Sequence, residues 1–241
     1  MEFECLESPA AVTIQHEGVN YKFWGENSWL IMRQLRSLKT FYELEMLEFL
    51  RAQIPNPGVI VDVGACIGNH SVFFDRVMNA QVISIEPNDP AFDAFGANCA
   101  NGQAPHVTAL RCGAGAQVET RKLDYSACAH ELGYNIGGVK LSLTNGTAGV
   151  QDAQVIPIDG ILENATGNVD LIKIDCEGME QEVLQGAERT LATHCPWLAI
   201  EIADAANLEQ FDAYLKESHT RIDKQFNHTP TWVYKPLDLN A

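Results

Sequence analysis

The stretch Val59-Ile-Val-Asp-Val-Gly-Ala-Cys-Ile-Gly-Asn-His-Ser71 decides how the chain is read. Its opening run of Val and Ile suits a strand covered on both faces, because a strand with one wet face alternates apolar and polar residues. The run breaks at Gly64-Ala-Cys-Ile-Gly68, and Val72, Phe73, Phe74 and Val77 then recur at helical spacing. A tight strand-to-helix turn is the consequence. Glycines there let a ligand approach the backbone, and the free N–H groups that open the helix favour a carboxylate or a phosphate.

The next strand, Gln81 to Ile85, ends in Glu86, about 20 residues beyond the glycine turn, where a nucleotide-binding βαβ unit presents its ribose-binding carboxylate. A dinucleotide fold also needs a middle glycine, as in G-x-G-x-x-G, so that a pyrophosphate can lie against the backbone. Ala65 and Cys66 occupy that interval here, which disfavours NAD and FAD. The remaining expectation is a cofactor with an adenosine ribose and a carboxylate but no phosphate. S-adenosylmethionine fits that description.

With 241 residues, 46% of them apolar, the chain is long enough for one domain with a substantial core. Lys and Arg number 16 against 32 Asp and Glu, for a formal net charge of −16. That field repels a polyanion, and no basic patch interrupts it, so nucleic acid and anionic membrane surfaces are disfavoured as partners. The seven cysteines are scattered and never in C-x-x-C spacing, which reads as reduced, mostly buried thiols. The first ten residues are acidic and lead into no apolar signal core, and no apolar run is long enough to span a bilayer. The expectation is a cytoplasmic protein acting on a small molecule or glycan, with its oligomeric state open.

Residues 11–23 alternate weakly around Glu17-Gly18 and predict a hairpin, part of an N-terminal cap over residues 1–39. Thr40 and Glu43 read as the T-x-x-E capping box of a helix carrying Leu44, Leu47, Leu50 and Ile54, stopped by Pro55-Asn-Pro-Gly58. After Glu86, Asp89 is the expected N-cap, Pro90 the first helical residue and Asn101-Gly102 the stop. Val107 to Arg111 is a third short strand. From about 116 to 157, strands at Gln117 to Leu123 and Val139 to Leu143 predict a β-rich insertion. Val169 to Asp175 then resumes the parallel pattern. A helix carrying Met179, Val183, Leu184, Ala187 and Leu191 follows, then a strand Trp197 to Ile202 and a helix Leu208 to Leu215. Thr220 to Phe226 and Thr231 to Tyr234 close the chain as an antiparallel pair. Strands and helices alternating without a repeat predict a doubly wound, mostly parallel α/β sheet.

Five of these segments together resemble one family. FYE at Phe41 to Glu43, VDVGACIGNHS at Val61 to Ser71, IEPN at Ile85 to Asn88, DLIKIDCEGMEQEVLQGA at Asp170 to Ala187 and AIEI at Ala199 to Ile202 match FkbM-type methyltransferases in order and spacing. The likeness runs from about Thr40 to Ile202, and the Lys173-Ile-Asp175-x-Glu177-Gly178 block is its most specific part. It implies a seven-stranded Rossmann-like methyltransferase sheet within residues 40–241, with helices on both faces and an antiparallel strand near the C-terminus. It also implies transfer of a methyl group from S-adenosyl-L-methionine to a hydroxyl of a sugar or other small molecule. By this resemblance Gly64, Ala65 and Gly68 face the methionine part, Glu86 binds the ribose hydroxyls, Asn88 lies near the adenine and Asp175 near the sulfonium. Asp62, Cys66, Asn69 and Pro87 complete the implied cofactor site. The chain departs from the family at Cys66, where Asn is usual, and at Cys112-Gly-Ala-Gly115, which lacks the acid many relatives place near the adenine amine.

Methyl transfer to a hydroxyl needs little beyond positioning and a base for the acceptor's proton. Asp175, Glu177 and His70 are the candidates, with Lys173 to orient a carboxylate or an acidic substrate. Each also has a plainer account. Asp175 equally suits a contact to the cofactor's ammonium, Glu177 suits a helix N-terminal acid if Gly178 opens that helix, and His70 suits a capping residue. Glu43 is already explained by its capping box. Two alternatives stay open: a divalent ion held by Asp175, Glu201 and Asp204, and a non-catalytic nucleoside-binding module on the same fold. The metal-free reading is preferred, since no paired D-D or D-N motif follows the fifth strand.

Overall fold

In the computed structural model, which describes residues 10–100, 102–130, 133–142 and 151–237, the Val59 run lies deep inside a seven-stranded sheet. The chain opens with β1 (Ala10–His16), β2 (Val19–Gly25), α1 (Leu30–Leu38) and α2 (Leu44–Gln53). The first crossovers follow: β3 (Val59–Val63), α3 (Asn69–Arg76), β4 (Gln81–Ile85), α4 (Asp89–Cys99) and β5 (Val107–Leu110). The insertion contributes β6 (Gly113–Ala114), β7 (Glu119–Asp124), β8 (Ala129–His130), β9 (Gly133–Tyr134), β10 (Lys140–Ser142) and β11 (Asp152–Ile156). Then come α5 (Ile158–Ile161), β12 (Val169–Ile174), α6 (Glu180–Gln185), α7 (Glu188–His194), β13 (Trp197–Glu201), α8 (Ala205–Leu215), β14 (His219–Phe226) and β15 (Thr231–Pro236).

The main sheet has the order β14-β15-β13-β12-β3-β4-β5. β13, β12, β3, β4 and β5 run parallel, and β15 pairs antiparallel with both β13 and β14. All five residues of β3 are buried, as an apolar run without alternation requires. Ile60 packs with Leu47, Leu50, Phe73 and Phe74 on one face, and Val59, Val61 and Val63 pack with Ile174, Val183 and Leu184 on the other. Helices therefore cover both faces. Because the chain winds from β3 outward to β4 on one side and returns at β12 on the other, the loops after these strands part and leave a crevice at their carboxyl ends.

The N-terminal hairpin forms around Glu17-Gly18 and packs Tyr21 and Phe23 on Phe41, whose ring meets Phe73 of α3 edge-on at 5.2 Å. The insertion folds into a second sheet, β10-β7-β11-β6, beside the main one. Its strands lie close to their expected positions. β11 and the short β8–β9 hairpin are additions, and Leu143 falls outside the described residues.

Four local expectations are corrected. α2 starts at Leu44 with no side-chain cap: Glu43, at φ +59, stands outside it, so the Thr40–Glu43 capping box does not form. α1 was not expected at all. The N-cap of α4 is Asn88 rather than Asp89, and the helix stops at Cys99. The expected helix from Met179 to Leu191 is two helices, broken at Gly186-Ala187. Gly186 sits at the break, where a Cβ would lie 2.0 Å from the carbonyl oxygen of Gly115, so the close backbone approach there admits only glycine.

Candidate active site

At the carboxyl end of β3 the chain turns through Gly64, Ala65 and Cys66 before α3 begins, with Gly68 as its N-cap at φ +84. Gly64 has φ +75, and a Cβ there would fall 1.7 Å from the carbonyl oxygen of Asp175. No other residue fits. Gly64 and Ala65 both donate backbone N–H to the carbonyl of Ile85, at 2.9 and 3.1 Å, which fixes the turn against the end of β4. The N–H of Cys66 donates to Oε2 of Glu86 at 2.8 Å, and the N–H of Asn88 donates to Oε1 at 2.8 Å. Glu86 is thus a buried carboxylate held between two backbone dipoles, each oxygen keeping further acceptor capacity. Burial outweighs those two bonds and raises its carboxyl to about 7. The departure at Cys66 leaves this contact intact, because the main chain makes it. The Cys66 thiol is pushed far up by burial, which makes it inert.

The crevice is a cleft of about 1000 Å³. Gly64, Ala65, Cys66, Asn69, His70, Glu86, Pro87, Lys173, Asp175 and Glu177 all border it, so most of the residues singled out in the sequence come together. Asp62, Gly68 and Asn88 do not border it. Asp62 is fully buried below, where Oδ2 accepts from the Ser71 hydroxyl at 2.6 Å and Oδ1 lies 3.3 Å from Nζ of Lys173. Asn88 donates from Nδ2 to the Ile136 carbonyl and accepts from the Tyr125 hydroxyl, which ties the insertion to the end of β4.

The far end of the cleft is acidic. Lys173, paired in register with Asp62 of β3, donates from Nζ to the carbonyl of Gly64 at 3.0 Å and lies 3.4 Å from Asp175. Burial opposes the Lys173 charge, but Asp175 and Asp62 hold the ammonium well above its usual range. Burial likewise opposes the Asp175 carboxylate. Lys173 and a hydrogen bond from Glu201 prevail and keep it below its ordinary value. Glu201, at the end of β13, is raised to about 9, first by burial and then by the Asp175 charge, so it carries the proton of the pair near neutrality. Glu177 is raised to about 7 by burial and by Asp175. It is no helix acid: it takes φ +56 in the turn before α6, which begins only at Glu180.

Sequence reasoning missed several walls of this cleft. Glu43 borders it, its Oε2 lying 3.3 Å from Nε2 of His70. Leu30, Ile31 and Leu38 of α1, Val139 and Leu141 of the insertion and the turn at Asn227 to Thr229 close it from above. Asp204, a proposed metal ligand, instead caps α8 by accepting from the N–H of Ala206 at 2.9 Å. Among the described residues one trio brings ligand atoms together, His16, Glu17 and Glu48, and it does not border the cleft.

A seven-stranded sheet of this order, with a glycine turn after its first parallel strand and an acid at the end of the next, defines a Rossmann-like methyltransferase fold. The family model described as the methyltransferase FkbM domain matches residues 62–230. The chain belongs to that family of S-adenosylmethionine-dependent methyltransferases. Methyltransferase sdnD of Sordaria araneosa is 27% identical over 164 residues, covering 57% of this chain and 63% of that relative. The crystal structure of methyltransferase FkbM from Methylobacillus flagellatus KT superposes with a TM-score of 0.52 at 22% identity, covering 75% of this chain and 44% of that one. The 16S rRNA N2 G1207 methyltransferase RsmC of T. Thermophilus gives 0.53 at 11% identity, covering 97% of this chain and 52% of its own. The chain thus spans less than two thirds of the length of each of these relatives.

Proposed function

We propose that this chain transfers the methyl group of S-adenosylmethionine to a hydroxyl oxygen of a sugar or other small molecule. The observation that carries the reading is the polarity of the cleft: a lone buried carboxylate at one end and a proton-bearing acidic cluster at the other. These residues fit the cofactor. Glu86 has free acceptor capacity for the two hydroxyls of a ribose, the turn at Gly64 to Cys66 offers close backbone approach, and the Asp175 anion suits the cationic sulfonium and ammonium groups. When bound, S-adenosylmethionine supplies a methyl group already activated by the positive sulfur.

The chain's own residues have the remaining tasks. Glu86 orients the cofactor, Lys173 holds Asp175 as a fixed anion, and a base bordering the cleft beside that anion removes the acceptor's proton as the new bond forms. The net charge of −16 favours a small uncharged or cationic acceptor over a nucleic acid. No helix among the described residues is long and apolar enough to cross a membrane.

Calorimetry tests the site first: micromolar binding of S-adenosylhomocysteine with none of NAD is expected, and no binding of either ligand rejects the reading. Transfer of labelled methyl onto a panel of sugars and small-molecule alcohols then identifies the acceptor. Because Asp204 is engaged as a helix cap, turnover is expected to survive EDTA.

A further inference from the structure

Glu43 reads in the sequence as half of a helix cap, yet the fold gives it another neighbour. Its Oε2 lies 3.3 Å from Nε2 of His70, which is buried and has no aligned hydrogen-bond partner, so the Glu43 carboxylate stands ready to accept from it; the two side chains are 13% and 9% exposed, and both residues border the cleft. This juxtaposition is enforced from two sides. The side-chain amide of Asn69, next to His70 at the start of α3, accepts from the N–H of Tyr42 and donates to its carbonyl, each at 3.1 Å. By pairing with both backbone groups of Tyr42 as a neighbouring strand would, Asn69 fastens the Phe41-Tyr42-Glu43 segment to the turn that carries His70. The ring of Phe74 lies beside the imidazole, 6.3 Å between centroids. Glu43 also takes φ +59, a left-handed conformation that non-glycine residues adopt rarely and keep where their surroundings impose it.

We propose that Glu43 is a positioning residue, holding the His70 imidazole so that one ring nitrogen donates to the Glu43 carboxylate and the other takes the hydroxyl proton of the methyl acceptor. This rests on the methyl transfer proposed above. In the step, the acceptor's O–H bond breaks and its proton goes to His70. The oxygen's electron pair forms the bond to the methyl carbon, and the pair of the broken C–S bond stays on sulfur. The positive charge that leaves the sulfonium reappears on the imidazole, next to Glu43, so charge and atoms balance.

The groups facing His70 favour this division of labour. They are Glu43, from the segment before α2, with the Tyr42 hydroxyl beside it, and Asp175, after β12, with Lys173 and Glu201 in contact with Asp175. Asp175, held as an anion by Lys173 and Glu201, is a weak proton acceptor. Its charge instead assists the imidazole in becoming positive. The Phe41-Tyr42-Glu43 and Asn69-His70 segments thus belong to one device, although 25 residues of chain lie between Glu43 and Asn69.

Nuclear magnetic resonance of the full chain, with 15N-labelled histidine and S-adenosylhomocysteine bound, reads the ring directly. The neutral His70 ring is expected to carry its proton on Nε2. Glu43→Gln is expected to lower turnover by about 100-fold, with the acceptor KM within about twofold. Glu43→Asp should recover part of that turnover. A neutral ring protonated on Nδ1, or turnover that Glu43→Gln leaves unchanged, overturns the proposal. If Glu43→Gln does not fold, the wild-type tautomer alone decides. Failure of the wild-type chain to bind S-adenosylhomocysteine would reject the methyl-transfer reading itself, whereas normal binding with the wrong tautomer would reject only the Glu43–His70 pair.

Discussion

Glu86 and Asp175 stand at the ends of β4 and β12, on either side of β3, and border the same cleft under opposite regimes. Glu86 is held by two backbone N–H groups, and burial leaves its carboxyl titrating near 7. Asp175 is locked as an anion by a buried lysine and by a proton on its neighbour Glu201. Backbone dipoles are weak enough to leave a carboxyl responsive to its ligand and to pH, whereas a full charge 3.4 Å away removes that freedom. The Glu86 end of the cleft is therefore suited to take up a hydrogen-bonding ligand, and the Asp175 end is a fixed electrostatic frame.

The frame is the more fragile of the two, and the largest expected effect is there. Lys173→Met leaves the fully buried Asp62 without its cation and should reduce stability by about 3–5 kcal/mol in urea denaturation. Adding Asp62→Asn to that variant should recover much of the loss, and a wild-type midpoint in the single variant would break the comparison. Asp175→Asn removes the anion without exposing the core. It should lower turnover by about 100-fold and cost less stability than Lys173→Met, because Lys173 keeps Asp62 as a counter-charge, and an active variant would remove Asp175 from the frame.

At the binding end the effects are smaller and reversible. Glu86→Gln should weaken S-adenosylhomocysteine about 10- to 100-fold by calorimetry. In the wild type, affinity should fall as the pH drops through about 7, where Glu86 takes up a proton, and the variant should lose that dependence.

A last expected effect is spread over several pH units and concerns the stability of the ligand-free protein. The carboxyl of Glu201 is raised from 4.5 to about 9, so its neutral form is the one the fold favours. That contribution is complete below 4.5 and is lost as the pH rises toward 9. Thermal melts between about pH 7 and 9, above the range in which Glu86 and Glu177 titrate, should decline in the wild type and flatten in Glu201→Gln. Parallel curves would mean that the Asp175–Glu201 pair does not share a proton.

Much of the fold is legible in local pattern. The unbroken apolar runs of β3 and β12 demand burial on both faces, and the glycine turn with Glu86 follows from residues about 20 apart. α1 keeps its apolar residues on one side, but it starts after Trp29 with no side-chain cap and no acid in its first turn, so no start signal marked it in the sequence. Met32 and Leu35 enter the core, while Leu30, Ile31 and Leu38 face the cleft. Nor was the break at Gly186 legible, since Val183, Leu184, Ala187 and Leu191 keep helical spacing across it and the approach of Gly115 to Gly186 is a tertiary contact.

The sequence by itself determined the alternation of strands and helices, the glycine turn and the acids at strand ends, because each depends on side-chain type at short spacing. Only the tertiary structure decided the role of Glu43. A T-x-x-E pattern looks the same whether its acid caps a helix or faces another segment, and the choice was made by Asn69 and His70, brought there when α3 packed on the sheet. The same holds for Glu201. A carboxyl's proton affinity depends on the charges around it and on the water it loses, and neither exists until β13 lies beside β12.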